Sequence, residues 1–131
     1  MTQEDKDLLL KDLCARLPYG VKFGIGSAKL GRYDLTDIDV KKEKVRYSNG
    51  LYADLERCKP YLRSMSSMTK EEFEEYGNII EHISIGSLDF NIANPNAIDW
   101  LNAHHFDYRG LIPKGLAIEV TEENNPYESN M

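Results

Sequence analysis

Hydrophobic residues at the start of the chain recur with a helical period: Leu10, Leu13, Cys14 and Leu17 form an i, i+3, i+4, i+7 stripe. Thr2 stands where an N-cap belongs, Glu4 and Asp5 make the first turn acidic, and Pro18 with Tyr19-Gly20 closes the segment. The spacing predicts a helix with that stripe, Cys14 included, buried against the layer that follows. At Val21 the period drops to two. Val21, Phe23 and Ile25 alternate with Lys22, Gly24 and Gly26, a half-buried strand whose glycines fit a bulge or tight curvature. A turn over 27–31 leads to a second strand over 33–40, less regular because Leu35 and Ile38 are out of phase. The charged run 41–44 connects it to Val45, Arg46 and Tyr47, and Asn49-Gly50 connects those to the next strand, 51–55; Asn-Gly is the strongest short hairpin signal. Four short strands with tight turns make an antiparallel meander, which a small curved sheet or an SH3-like partial barrel accommodates.

Pro60 argues against a central strand, so 58–65 is expected to leave the sheet. Thr69-Lys70-Glu71-Glu72 is a capping box. The helix it opens carries Phe73, Tyr76, Ile79, Ile80 and Ile83 on one side and Glu71, Glu74, Glu75 and Glu81 largely on the other. Leu88, Phe90 and Ile92 alternate as a further strand, and Asn94-Pro95 opens another helix that runs through Trp100 and His105 to about Phe106. A closing strand is expected over 116–120. The fold class is α+β: an N-terminal helix, a small curved antiparallel meander, and C-terminal helices with one or two added strands. One domain spans residues 1–120, and 121–131 reads as a flexible acidic tail.

Composition narrows the class without naming a function. Hydrophobic residues at 41% and charged residues at 29% are ordinary globular values. Apolar runs reach only three or four residues, far below the roughly 20 of a membrane span, and the acidic N-terminus lacks the pattern of a signal peptide. A cytoplasmic protein is expected, with Cys14 and Cys58 as free thiols. The net charge of -6 is unevenly spread: 1–65 carries 13 Lys+Arg against 10 Asp+Glu, whereas 66–131 carries 3 against 12. The basic half fits either a mildly basic sheet beside acidic helices or a face for an anionic partner.

The densest functional stretch is 100–110, where His104, His105, Asp107, Tyr108 and Arg109 fall within six positions. Imidazole and carboxylate together suit acid–base work or metal ligation, so a metal-assisted hydrolase is one reading. Adjacent residues on a helix point about 100° apart, so His104 and His105 cannot easily share one ion. The structural alternative has one histidine packed at the helix end, Asp107 and Arg109 tying the turn, and Trp100, Phe106 and Tyr108 in the core. A second candidate is a basic face of Lys44, Arg46, Arg57, Lys59 and Arg63 interleaved with Tyr47, Tyr52 and Tyr61, the pattern of a small barrel that stacks bases. Gly24-x-Gly26 lacks the third glycine and following helix of a phosphate loop, and no cofactor or metal motif stands out.

The block from Asp99 to Ile112, continuing from Lys114 to Glu119, resembles small uncharacterised proteins of gut Bacteroidetes, many of them on prophages or other mobile elements. The stretch from Lys59 to Thr69 resembles a second block of the same group, which more often has Pro where Ser64 stands. The resemblance covers about a quarter of the chain. It implies a bacterial cytoplasmic protein and transfers no activity. The leading expectation is a non-enzymatic interaction or accessory protein with a protein partner and no membrane. A nucleic-acid-binding module using the basic face comes second, and the metal-assisted hydrolase third.

Overall fold

The computed structural model describes residues 1–25, 31–47, 50–80 and 95–127. The first helix, α1 (Gln3–Arg16), starts where its cap predicts: the Thr2 hydroxyl accepts the Asp5 N–H at 3.1 Å. Its buried face differs from the expected stripe. Leu9, Leu10, Asp12, Leu13 and Arg16 are buried, and Cys14 is exposed. The reason is the Asp12–Arg16 ion pair, an i, i+4 pair with both side chains fully buried, which draws that face inward. A pattern of apolar positions alone omits those two residues and so misplaces the stripe. Gly20, with φ 77°, ends the turn after Pro18.

The strands β1 (Lys22–Ile25), β2 (Tyr33–Asp39), β3 (Lys44–Tyr47) and β4 (Tyr52–Asp54) form the expected antiparallel meander. The phase problem in β2 resolves as a register shift between Leu35 and Asp37. One extra residue there restores the alternation, so Leu35 is buried and Ile38 packs against the same core. The segment expected to leave the sheet is instead a central strand, β5 (Cys58–Leu62), which pairs antiparallel with β1 and parallel with β6 (Ile118–Glu119). The strand order is β4-β3-β2-β1-β5-β6. Pro60 fits because of parity. Leu62 accepts the Val120 N–H, so Leu62 and Pro60 turn their backbone groups toward β6, whose pairing starts only at Tyr61. The missing N–H therefore costs no rung.

Two cores result. Leu9, Leu10 and Leu13 of α1 pack with Val21, Phe23, Leu35, Val45, Leu55 and Leu62 of the sheet region and with Leu111 and Leu116 of the C-terminal loop. The second joins α2 (Lys70–Ile80) and α3 (Pro95–Ala103) through Tyr76, Ala97, Trp100, Leu101 and Phe106. The capping box forms as expected: Glu72 N–H donates to the Thr69 hydroxyl at 3.1 Å and Thr69 N–H to the Glu72 carboxylate at 2.9 Å. Phe73, expected on the buried side of α2, is 68% exposed, because Tyr76 and Ile79 carry the contact with α3. The strand expected at Leu88, Phe90 and Ile92 lies outside the described residues. Among the described residues no helix is long and apolar enough to cross a membrane.

Candidate functional site

The stretch with the most chemistry is a helix end followed by a sharp turn. α3 stops at Ala103, three residues short of the expected limit. His105 N–H donates to the Asn102 carbonyl and Phe106 N–H to the Leu101 carbonyl, while His105 takes the left-handed conformation with φ 64°. This is the Schellman pattern with histidine where glycine is usual. The left-handed residue reverses the chain, and Phe106 and Leu101 meet in the core beneath it. Phe106 then forms a parallel bridge with Arg63, in which Arg63 N–H donates to the His105 carbonyl and Asp107 N–H to the Arg63 carbonyl.

Each predicted side chain has a partner from a different direction. His104 Nδ1 lies 3.5 Å from Glu72, and its ring lies 4.2 Å from that of Trp100. The Glu72 carboxylate also receives both terminal nitrogens of Arg63, at 2.7 and 2.6 Å. Arg63 and the Thr69 N–H beside Glu72 pull its carboxyl down to about 2, so it stays ionised. The Arg63 guanidinium lies over the Phe106 ring at 4.2 Å. Asp107, nearly buried, accepts the Leu111 and Ile112 N–H groups, each at 2.9 Å, and so holds the next turn. Arg109 donates to the adjacent Tyr108 hydroxyl at 3.1 Å and also reaches Asp12 at 3.4 Å, and the Tyr108 hydroxyl donates to Asn102 at 2.8 Å. Arg16 completes this second network by donating to Asp12 at 2.7 Å and to the Phe106 carbonyl at 2.6 Å.

His105 points elsewhere. Its ring stacks on Tyr127 at 3.6 Å and 9°, and its Nδ1 is buried without a hydrogen-bond partner among the described residues. Burial, with Arg16 and other cationic groups nearby, pushes its pKa down to about 4, so the imidazole is neutral at physiological pH. Tyr127 belongs to the stretch expected as a loose tail. There Pro126 is buried, and the Tyr127 hydroxyl accepts the Lys22 N–H at 2.9 Å and donates to the Tyr61 carbonyl at 2.8 Å. Burial raises the Tyr127 pKa.

The two histidines thus face different partners, and the Asp107 carboxylate is occupied by backbone. Among the described residues no three His, Cys, Asp or Glu side chains converge to hold a metal ion. The basic residues are also dispersed. Lys44 and Arg46 sit on β3, where their cross-strand neighbours are Asp39 and Asp37 on one side and Asp54 and Tyr52 on the other. Arg57 is in the turn before β5, Lys59 is on β5 beside Gly24, and Arg63 is paired with Glu72. Of the three tyrosines, Tyr52 is 52% exposed beneath Arg46. Tyr47 packs with Phe23 and Tyr33, and Tyr61 is buried with its hydroxyl on the Gly31 carbonyl.

Asp12, Arg16, Glu72 and Tyr127 hold the cluster in place. The i, i+4 spacing of Asp12 and Arg16 and the capping box at Glu72 are visible in sequence, whereas nothing local marks Tyr127. No family model matches the sequence, and no curated protein or solved structure matches it significantly.

Proposed function

We propose that the chain is a non-enzymatic interaction protein that binds a protein partner in the bacterial cytoplasm, as an accessory factor of phage or mobile-element origin. The observation that carries this reading is the use made of the 104–109 cluster. Its imidazoles, carboxylate and guanidinium are spent on α2, α1, the backbone of the next turn and Tyr127, and none of them is left over to act as an acid, base or nucleophile with another of the described residues. Exposed apolar side chains supply the alternative: Leu51 stands just before β4 and Tyr52 opens it, on one edge of the sheet, at 57% and 52% exposure. The resemblance of blocks 59–69 and 99–119 to mobile-element proteins supports the bacterial setting. An SH3-like partial barrel is supported by the four-strand meander, the single-turn helix Leu55–Arg57 before β5, and the pairing of β5 with β1.

The test is photo-crosslinking in the native host from a benzophenone amino acid at Leu51 or Tyr52. One discrete adduct that survives nuclease treatment is expected. No adduct beyond that of a control at exposed Lys41 would remove the support for this reading. The nucleic-acid reading competes on Lys44 and Arg46, but Asp39 and Asp54 flank Lys44 in the sheet and Asp37 stands beside Arg46. Titration of DNA and RNA at about 50 and about 200 mM salt is expected to give no salt-sensitive binding; a steep loss of affinity between the two would favour that reading instead.

A further inference from the structure

Tyr127 enters the sheet at a place where the β1–β5 ladder stops one rung short. Pairing begins at Phe23 with Pro60, and the next pair in that register is Lys22 with Tyr61. The phenol bridges that pair, accepting from the Lys22 N–H and donating to the Tyr61 carbonyl. One face of its ring lies flat on His105. The slot therefore presents a donor, an acceptor and an aromatic face, the complement of a phenol. The cations nearest it are paired with carboxylates: Lys22 with Asp34 at 2.6 Å, Arg16 with Asp12 at 2.7 Å and Arg63 with Glu72 at 2.6 Å. The arriving segment is acidic, with Glu119, Glu122 and Glu123 exposed.

This segment is lightly held. Thr121, Glu122 and Glu123 are exposed, and the Asn124 side chain bonds to Thr121 and to the Glu119 carbonyl within its own turn. Pro126 and Tyr127 carry the docking. When they lift, the Lys22 N–H and Tyr61 carbonyl can take a second phenol in place of the first.

We propose that the slot between β1 and β5 is a tyrosine-recognition site, filled in cis by Tyr127 and open to a tyrosine on a partner protein when the segment lifts. This rests on the interaction reading and names the chemistry of the partner. Phenylalanine is a poor substitute because it leaves the Lys22 N–H and the Tyr61 carbonyl unpaired.

The probe is a fluorescent peptide with the sequence of residues 119–127, titrated into the full chain and into full chains carrying Tyr127→Ala or Tyr127→Phe. Binding to Tyr127→Ala is expected at least about tenfold tighter than to the unaltered chain, whose own tyrosine competes. A peptide ending in phenylalanine is expected to bind about tenfold more weakly. Equal binding of the two peptides, or none to either variant, overturns the proposal. If Tyr127→Ala does not fold, Tyr127→Phe carries the test. Its Lys22 amide is expected to exchange with solvent about tenfold faster than in the unaltered chain and to slow when the tyrosine peptide is added. An unchanged rate overturns the proposal equally. A chain that cross-links a partner from Leu51 or Tyr52 yet ignores the peptide sinks the slot and leaves the interaction reading standing.

Discussion

Asp107 illustrates how a residue with catalytic chemistry can serve the backbone instead. Its carboxylate satisfies two N–H groups at the start of the 111–115 turn, one of them on fully buried Leu111. Asp107→Ala is expected to cost about 2–3 kcal/mol in urea denaturation, because both donors lose their acceptor. Asp107→Asn, keeping one oxygen, is expected to cost less. His105 adds a pH dependence. Unfolded, its imidazole takes a proton near 6.5, but folded only near 4. Between those values the unfolded chain binds more protons, so stability is full above pH 6.5 and falls as pH drops toward 4. His105→Gln cannot charge and is expected to flatten that limb of a urea-midpoint profile; a limb of unchanged slope would assign the effect to another group. Glu72 acts in the same direction over a lower window, from its ordinary 4.5 down to about 2.

At the scale of elements, α2 is joined to β5 by the Arg63–Glu72 pair, whose side chains are 21% and 17% exposed. A two-nitrogen pair at that depth differs from a surface ion pair. A double-mutant cycle of Arg63→Ala and Glu72→Ala is expected to return a coupling of about 1–2 kcal/mol, and a value near zero would mean that Phe106 and Trp100 do the joining alone. Helix starts and hairpins were legible in sequence because their signals are local: Thr2, the Thr69–Glu72 box, Pro95 and Asn49-Gly50 all act within four residues. β5 was not legible, since the harmlessness of Pro60 depends on where β6 begins, 57 residues later along the Tyr61–Ile118 register. The bulge in β2 shows in sequence only as a phase error, and the apolar stripe includes exposed Cys14 because a buried ion pair does not register as hydrophobic. The 104–109 cluster was legible as a cluster. Its partners were not, since Asp12 lies 97 residues from Arg109.

At the scale of the molecule, one buried polar network joins the first helix to the turn that follows α3. Arg16 holds Asp12 and the Phe106 carbonyl, and Arg109 meets Asp12 from the other side. Arg16→Met is expected to cost about 3–5 kcal/mol in chemical denaturation, since it leaves the buried Asp12 charge under-compensated. The double variant Asp12→Leu/Arg16→Met is expected to recover part of that loss; an equal or larger loss would point to the Phe106 carbonyl as the costly orphan. The Tyr127 hydroxyl spans a greater separation still, because Lys22 stands 105 residues before it. At ordinary rates of synthesis those residues take roughly 5–20 s to make, far longer than a hairpin needs to form. The first strand therefore emerges and pairs with its neighbours while the phenol that seals its lower end does not yet exist. During that interval the nascent chain exposes an unsealed seam, and any factor that reads it has its opportunity before the protein closes on itself.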